Sequence, residues 1–75
     1  MGVEIHVSSR DNENTKIFGN PDSACEYVSN RSHEDFDVWL EYDYDYRKLA
    51  RRIAKELFDN LDSNADFDFE DDGDD

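Results

Sequence analysis

A chain of 75 residues supports one small domain, which buries about 60% of the surface its unfolded form exposes and leaves little room for an enclosed catalytic pocket. Acidic residues outnumber basic ones 21 to 8, a formal charge of −13, which repels nucleic acid, anionic membrane and other acidic proteins and favours basic surfaces. The one cysteine, Cys25, excludes an internal disulfide, and no apolar run approaches the ~20 residues that span a bilayer.

Five Phe, four Tyr and one Trp supply enough apolar surface that the composition is not that of a chain disordered throughout. Val3, Ile5 and Val7 alternate with Glu4, His6 and Ser8, the period-2 pattern of a half-buried strand. The polar stretch Ser9 to Asn14 reads as a loop, and Thr15 to Phe18 as a second strand, giving a hairpin. Asn20 suits a helix N-cap and Pro21 the first helical position, so a short helix is expected from Pro21 to about Asn30. Its apolar side would be Ala24, Cys25, Tyr27 and Val28.

Asp35 to Tyr46 has the clearest strand pattern. Phe36, Val38, Leu40, Tyr42 and Tyr44 fall on one face, and Asp35, Asp37, Trp39, Glu41, Asp43 and Asp45 on the other. Asp45 can cap the helix that follows, in which Leu49, Ala50, Ile53, Ala54, Leu57, Phe58 and Leu61 form an amphipathic stripe. Beyond Leu61 the acids are so dense that little can be buried, so residues 63–75 read as a disordered acidic tail.

The expected architecture is therefore an α+β domain over residues 1–62, in the order β-β-α-β-α. A three-stranded sheet would carry both helices on one face. Its other face would be open to water or to a partner.

That open face carries the main functional expectation. Alternate strand residues lie about 6.6–6.8 Å apart, close to the roughly 6–7 Å between successive phosphates of a nucleic-acid strand. Asp35, Asp37, Glu41, Asp43 and Asp45 would form a row of negative charge with phosphate-like spacing. Trp39 within the row would serve as a partner-binding anchor. Like charges side by side cost stability, which a small core can spare only sparingly; a plain solvated strand face is the competing reading.

Other constellations are weaker. Arg47, Lys48, Arg51, Arg52 and Lys55 place five of the eight basic residues on the second helix, where pairing with nearby carboxylates is the simplest account. Phe67 and Phe69 among the terminal acids suit a segment that orders on a basic partner, or a solubilising tail. Asp62, Asn64 and Asp66 resemble the start of a calcium loop, but Phe67 stands where the sharp turn needs Gly and Gly73 where the bidentate Glu belongs. His6 and His33 have no metal-ligand spacing. No cofactor, metal site or catalytic group is expected.

The Asp35-to-Asp45 row, the small α+β layout and the acidic ending together resemble the DNA-mimic inhibitors of phages and mobile elements. These include the anti-CRISPR, antirestriction and uracil-DNA glycosylase inhibitor proteins. The resemblance rests on charge pattern, size and spacing, and no sequence motif carries residues over from any member. It implies a competitive inhibitor, best an anti-CRISPR, whose partner is a basic nucleic-acid-binding protein or CRISPR effector complex. It implies no direct nucleic-acid binding and no membrane partner. The N-terminus lacks the regions of a signal peptide, so the expected location is cytoplasmic. Two other classes stay open. One is an adaptor or antitoxin-like protein that grips a basic partner through the second helix and tail. The other is a small domain acidified for a salty cytoplasm, against which the Arg47-to-Lys55 surface argues.

Overall fold

In the computed structural model, which describes residues 2–69, the opening alternation forms strand β1, Val3–Ser9, and the second short run forms β2, Thr15–Phe18. The turn between them closes through Ser9 N–H to the Asn14 carbonyl and Glu13 N–H to the Ser9 carbonyl, both 2.8 Å. Helix α1, Pro21–Ser29, begins as its sequence requires. Asn20 is extended at φ −147°, its side chain accepts from Ser23 N–H, and Pro21 opens the first turn.

Strand β3, Phe36–Tyr42, is shorter than its alternating pattern. Beyond Asp43 the chain turns back: Tyr46 N–H donates to the Asp43 carbonyl at 2.9 Å, closing a 3₁₀ turn over Tyr44–Tyr46. Helix α2, Arg47–Asn60, follows directly, with Tyr46 at its N-cap and no side-chain cap. Asp45 thus lies inside the 3₁₀ turn and does not cap α2, correcting the expectation.

The sheet has four strands, not three, in the order β2-β1-β3-β4. β1 is antiparallel to both β2 and β3, whereas β4, Ala65–Asp68, is parallel to β3 across the α2 crossover. β4 comes from the segment expected to be a disordered tail. Its own alternation explains it: Ala65 and Phe67 pack against the core, and Asp66 and Asp68 are exposed on the other side. The segment before it is fastened as well. Phe36 N–H donates to the Asn64 carbonyl at 3.0 Å, and the Asn64 amide donates to the carbonyls of Arg31 and Glu34. The tail expectation for residues 70–75 lies outside the described residues.

Ile5 and Val7 of β1, Phe36 and Val38 of β3, Ala24 and Val28 of α1 and Leu57 of α2 form one buried cluster. Both helices therefore cover the same sheet face, as expected. The stripe of α2 is narrower than its sequence suggests: Ala50, Ala54 and Leu57 are buried, but Leu49 and Phe58 are exposed. Cys25 is half-buried on α1, and burial pushes its thiol pKa up. Among the described residues no helix is long and apolar enough to cross a membrane.

Candidate functional site

Because successive strand residues point to opposite faces, the register fixes what lies on the uncovered face. Its central row runs Ile17, His6, Trp39 and Asp68 from β2 to β4. On one side of it lie Ser8, Asp37 and Asp66, and on the other Glu4 directly opposite Glu41. The face thus has an apolar and aromatic centre between two cross-strand pairs of carboxylates.

The centre is built by contacts between strands. The His6 and Trp39 rings stack with centroids 5.4 Å apart and planes inclined by 26°. Trp39 Nε1–H donates to Glu41 Oε2 at 3.1 Å, and His6 Nε2 lies 3.2 Å from Glu4 Oε1. Trp39 is consequently half-buried, not the freely exposed anchor the sequence implies. His6 shields one side of its ring.

At the other end Arg10, from the hairpin loop, reaches over the sheet. Its Nη2 donates to Asp37 Oδ1 and to Asp66 Oδ2, each at 2.7 Å, while Nε sits 3.1–3.2 Å from both Asp37 oxygens. Hydrogen bonding from this guanidinium holds the Asp37 carboxyl below its ordinary pKa, and Asp37 and Asp66 together raise that of Arg10. Asp37 is therefore largely neutralised from within.

Of the six residues expected to meet a partner, the structure gathers Asp37, Trp39 and Glu41 on the open face. Asp35 precedes β3, where its carbonyl accepts from Arg10 N–H at 2.9 Å. Asp43 and Asp45 fall beyond the end of the strand, at and inside the 3₁₀ turn. The unbroken row from Asp35 to Asp45 does not form, because the chain turns after Tyr42. Asp43 still borders the face: with Gly2, Glu4, Glu41 and Tyr42 it lines a hollow of about 250 Å³.

Glu4, His6, Asp66 and Asp68 of the face were not among the residues expected to meet a partner. The alternation of β1 already put Glu4 and His6 on the outward side, and the Asp-Phe-Asp run was the corresponding signal for β4. The basic side of α2 lies elsewhere. There Arg47 stands 5.6 Å from the Tyr44 ring centre, and Tyr44, Asp45, Arg47, Lys48 and Arg51 line a separate hollow. Among the described residues no group of His, Cys, Asp and Glu is placed to hold a metal ion.

Comparison with protein-family models, with curated proteins and with solved structures gives no match to this chain.

Proposed function

We propose that this protein is an acidic inhibitor that covers the nucleic-acid-binding surface of a basic protein with the open face of its sheet. A defence protein such as a CRISPR effector is the target class that fits best. The observation that carries this reading is the distribution of charge on that face. Glu4, Glu41, Asp37, Asp66 and Asp68 converge from three strands around Trp39, and Arg10 is the one Lys or Arg among the described residues that reaches across them.

The arrangement favours a two-dimensional charge match over a single line of phosphate mimics. Asp66 and Asp68 keep a spacing of about 6.6 Å along β4, and neighbouring strands supply charge at about 4.8 Å sideways. Lys and Arg residues that normally hold phosphates would meet carboxylates at comparable intervals. The half-buried aromatic centre supplies desolvated contact area, where binding energy concentrates. Steering by the net charge of −13 would make association fast and sensitive to salt.

The test is a pull-down from a bacterial lysate on immobilised protein, eluted with competing duplex DNA. Release by DNA of one or a few nucleic-acid enzymes, lost when Glu4, Glu41 and Asp68 are changed to Lys with unchanged circular dichroism, is the expected result. Capture that duplex DNA does not reverse, or that survives the triple charge reversal, would exclude the open face as a nucleic-acid surrogate.

A further inference from the structure

The outermost strands of the sheet are guarded unequally. An edge strand offers unpaired N–H and C=O groups, and folded proteins blunt it with charge, including charge turned inward. On β2 that device is present. Lys16 stands opposite Val7 in register and so shares the helix-covered face, where its Nζ lies 5.8 Å from the Tyr27 ring centre. β4 has no such residue. Ala65 and Phe67 are on its helix side, and Phe67 stacks on Phe69 with centroids 6.2 Å apart and planes inclined by 1°.

The backbone of β4 points the same way. Phe36 N–H donates to the Asn64 carbonyl at 3.0 Å. Backbone groups along a strand face its two sides in alternation, so Asn64, Asp66 and Asp68 turn theirs toward β3, and Phe67 turns its N–H and C=O outward. β4 ends the strand order, so among the described residues no strand meets them. Beside this edge, Arg51, Ala54, Lys55 and Phe58 of α2 line a hollow of about 410 Å³ with Phe67 and Phe69. Phe58 is 76% exposed there, an aromatic wall that the fold itself leaves uncovered.

Resting on the function proposed above, we infer that the basic partner adds one extended strand of its own to the outer edge of β4. Residues directly opposite on paired strands share a face. The residue opposite Phe67 therefore faces the hollow, where the Phe rings favour an apolar side chain and Lys55 disfavours a cation. The residue opposite Asp68 lies on the open face. Asp66 is bridged to Asp37 by Arg10, whereas Asp68 forms no ion pair among the described residues, so Lys or Arg is the match there. The strand that fits thus alternates apolar and basic side chains. A second copy of β4 does not fit, because antiparallel pairing about Phe67 would set Asp68 against Asp66.

The experiment titrates the full chain with capped synthetic peptides and reads affinity together with exchange of the Phe67 amide by NMR. A hexapeptide of alternating lysine and valine should slow that exchange by about tenfold or more and leave the amides of β2 unchanged. It should bind about tenfold more tightly than an isomer with the same residues grouped in blocks, a difference worth one or two net backbone hydrogen bonds. N-methylation of one alternate set of its amides should abolish binding, and methylation of the other set should not. Phe58→Ser should weaken binding by about tenfold, whereas Leu49→Ser, at the other exposed apolar residue of α2, should leave it unchanged. Equal binding of the two isomers, indifference to both methylation patterns, or full affinity in the Phe58 variant would overturn strand addition. Protection of the Phe67 amide before any peptide is added would assign the edge to the chain itself and overturn it equally. The two readings fail separately. DNA-reversible capture without a preference for the alternating peptide would sink strand addition alone, and that preference without DNA-reversible capture would sink the inhibitor reading alone.

Discussion

The two edges of the sheet are strands of equal length that reach it by different routes and with different polar support. β2 and β4 each span four residues. β2 is tied to β1 by the five-residue loop Arg10–Asn14 and is mostly exposed, with Ile17 at 57%, and Phe18 alone of its residues packs against the core. β4 arrives only after a 14-residue helix and pairs in parallel with β3, yet it brings Phe67 into contact with the core. It is also fastened by Arg10 through Asp66 and by Asn64. An edge next in sequence to its partner needs little side-chain support, because closing a short loop is cheap. An edge delivered from far away forms when packing and polar contacts offset the larger loop-closure cost.

That contrast can be broken by substitution. Phe67→Ala should destabilise the domain by about 2 kcal/mol, less than full burial would give because the ring is half-buried. Ile17→Ala on the opposite edge should change stability by no more than about 0.5 kcal/mol. Urea melts measure both, and equal losses would mean that the outward Ile17 supports its edge as much as the core-facing Phe67 does. Asn64→Ala comes next, at about 1 kcal/mol, since it deprives the Arg31 and Glu34 carbonyls of their donor. The loss stays modest because Asn64 Oδ1 is buried with no hydrogen-bond partner. Hydrogen exchange should then quicken in β4 and not in β2.

The smallest effect sharpens the comparison through pH. The Asp37 carboxyl titrates below its ordinary value because Arg10 donates to it. Its contribution to stability is therefore present above the unfolded carboxylate pKa of about 3.9 and lost as pH falls through its lower folded value. Arg10→Ala should flatten that part of the acid-unfolding curve and loosen β4 while leaving β2 unchanged. An acid limb identical in the variant would show that the exposed ion pair contributes nothing measurable.

What the sequence disclosed follows the same division between near and far. The β1 alternation, the Asn20-Pro21 start of α1 and the buried stripe of α2 are local signals, and each forms the element it specifies. The alternation after Tyr42 misled because it is made of Asp and Tyr alone, and the Tyr44 and Tyr46 rings stay exposed where a strand would have turned an apolar side to the core. β4 was hidden because its acids argued for disorder, while the charge that compensates Asp66 sits on Arg10, separated by 56 residues. For the open face, Asp37, Trp39 and Glu41 were legible from one strand. The cover over Trp39 was not, since His6 reaches it only through a register that pairing between strands decides.

The place of β4 at the end of the element order also bears on the molecule before its sheet is complete. β1, β2 and β3 precede Ala65–Asp68 in the chain, so until β4 docks the molecule carries β3 as an uncovered edge. Apolar strands left open in this way recruit one another into aggregates, and inward or flanking charge is the usual protection. Asp37 and Glu41 on that strand are charges of the kind that discourage such pairing, so the acids of the binding surface also suit β3 to the interval before the last strand docks.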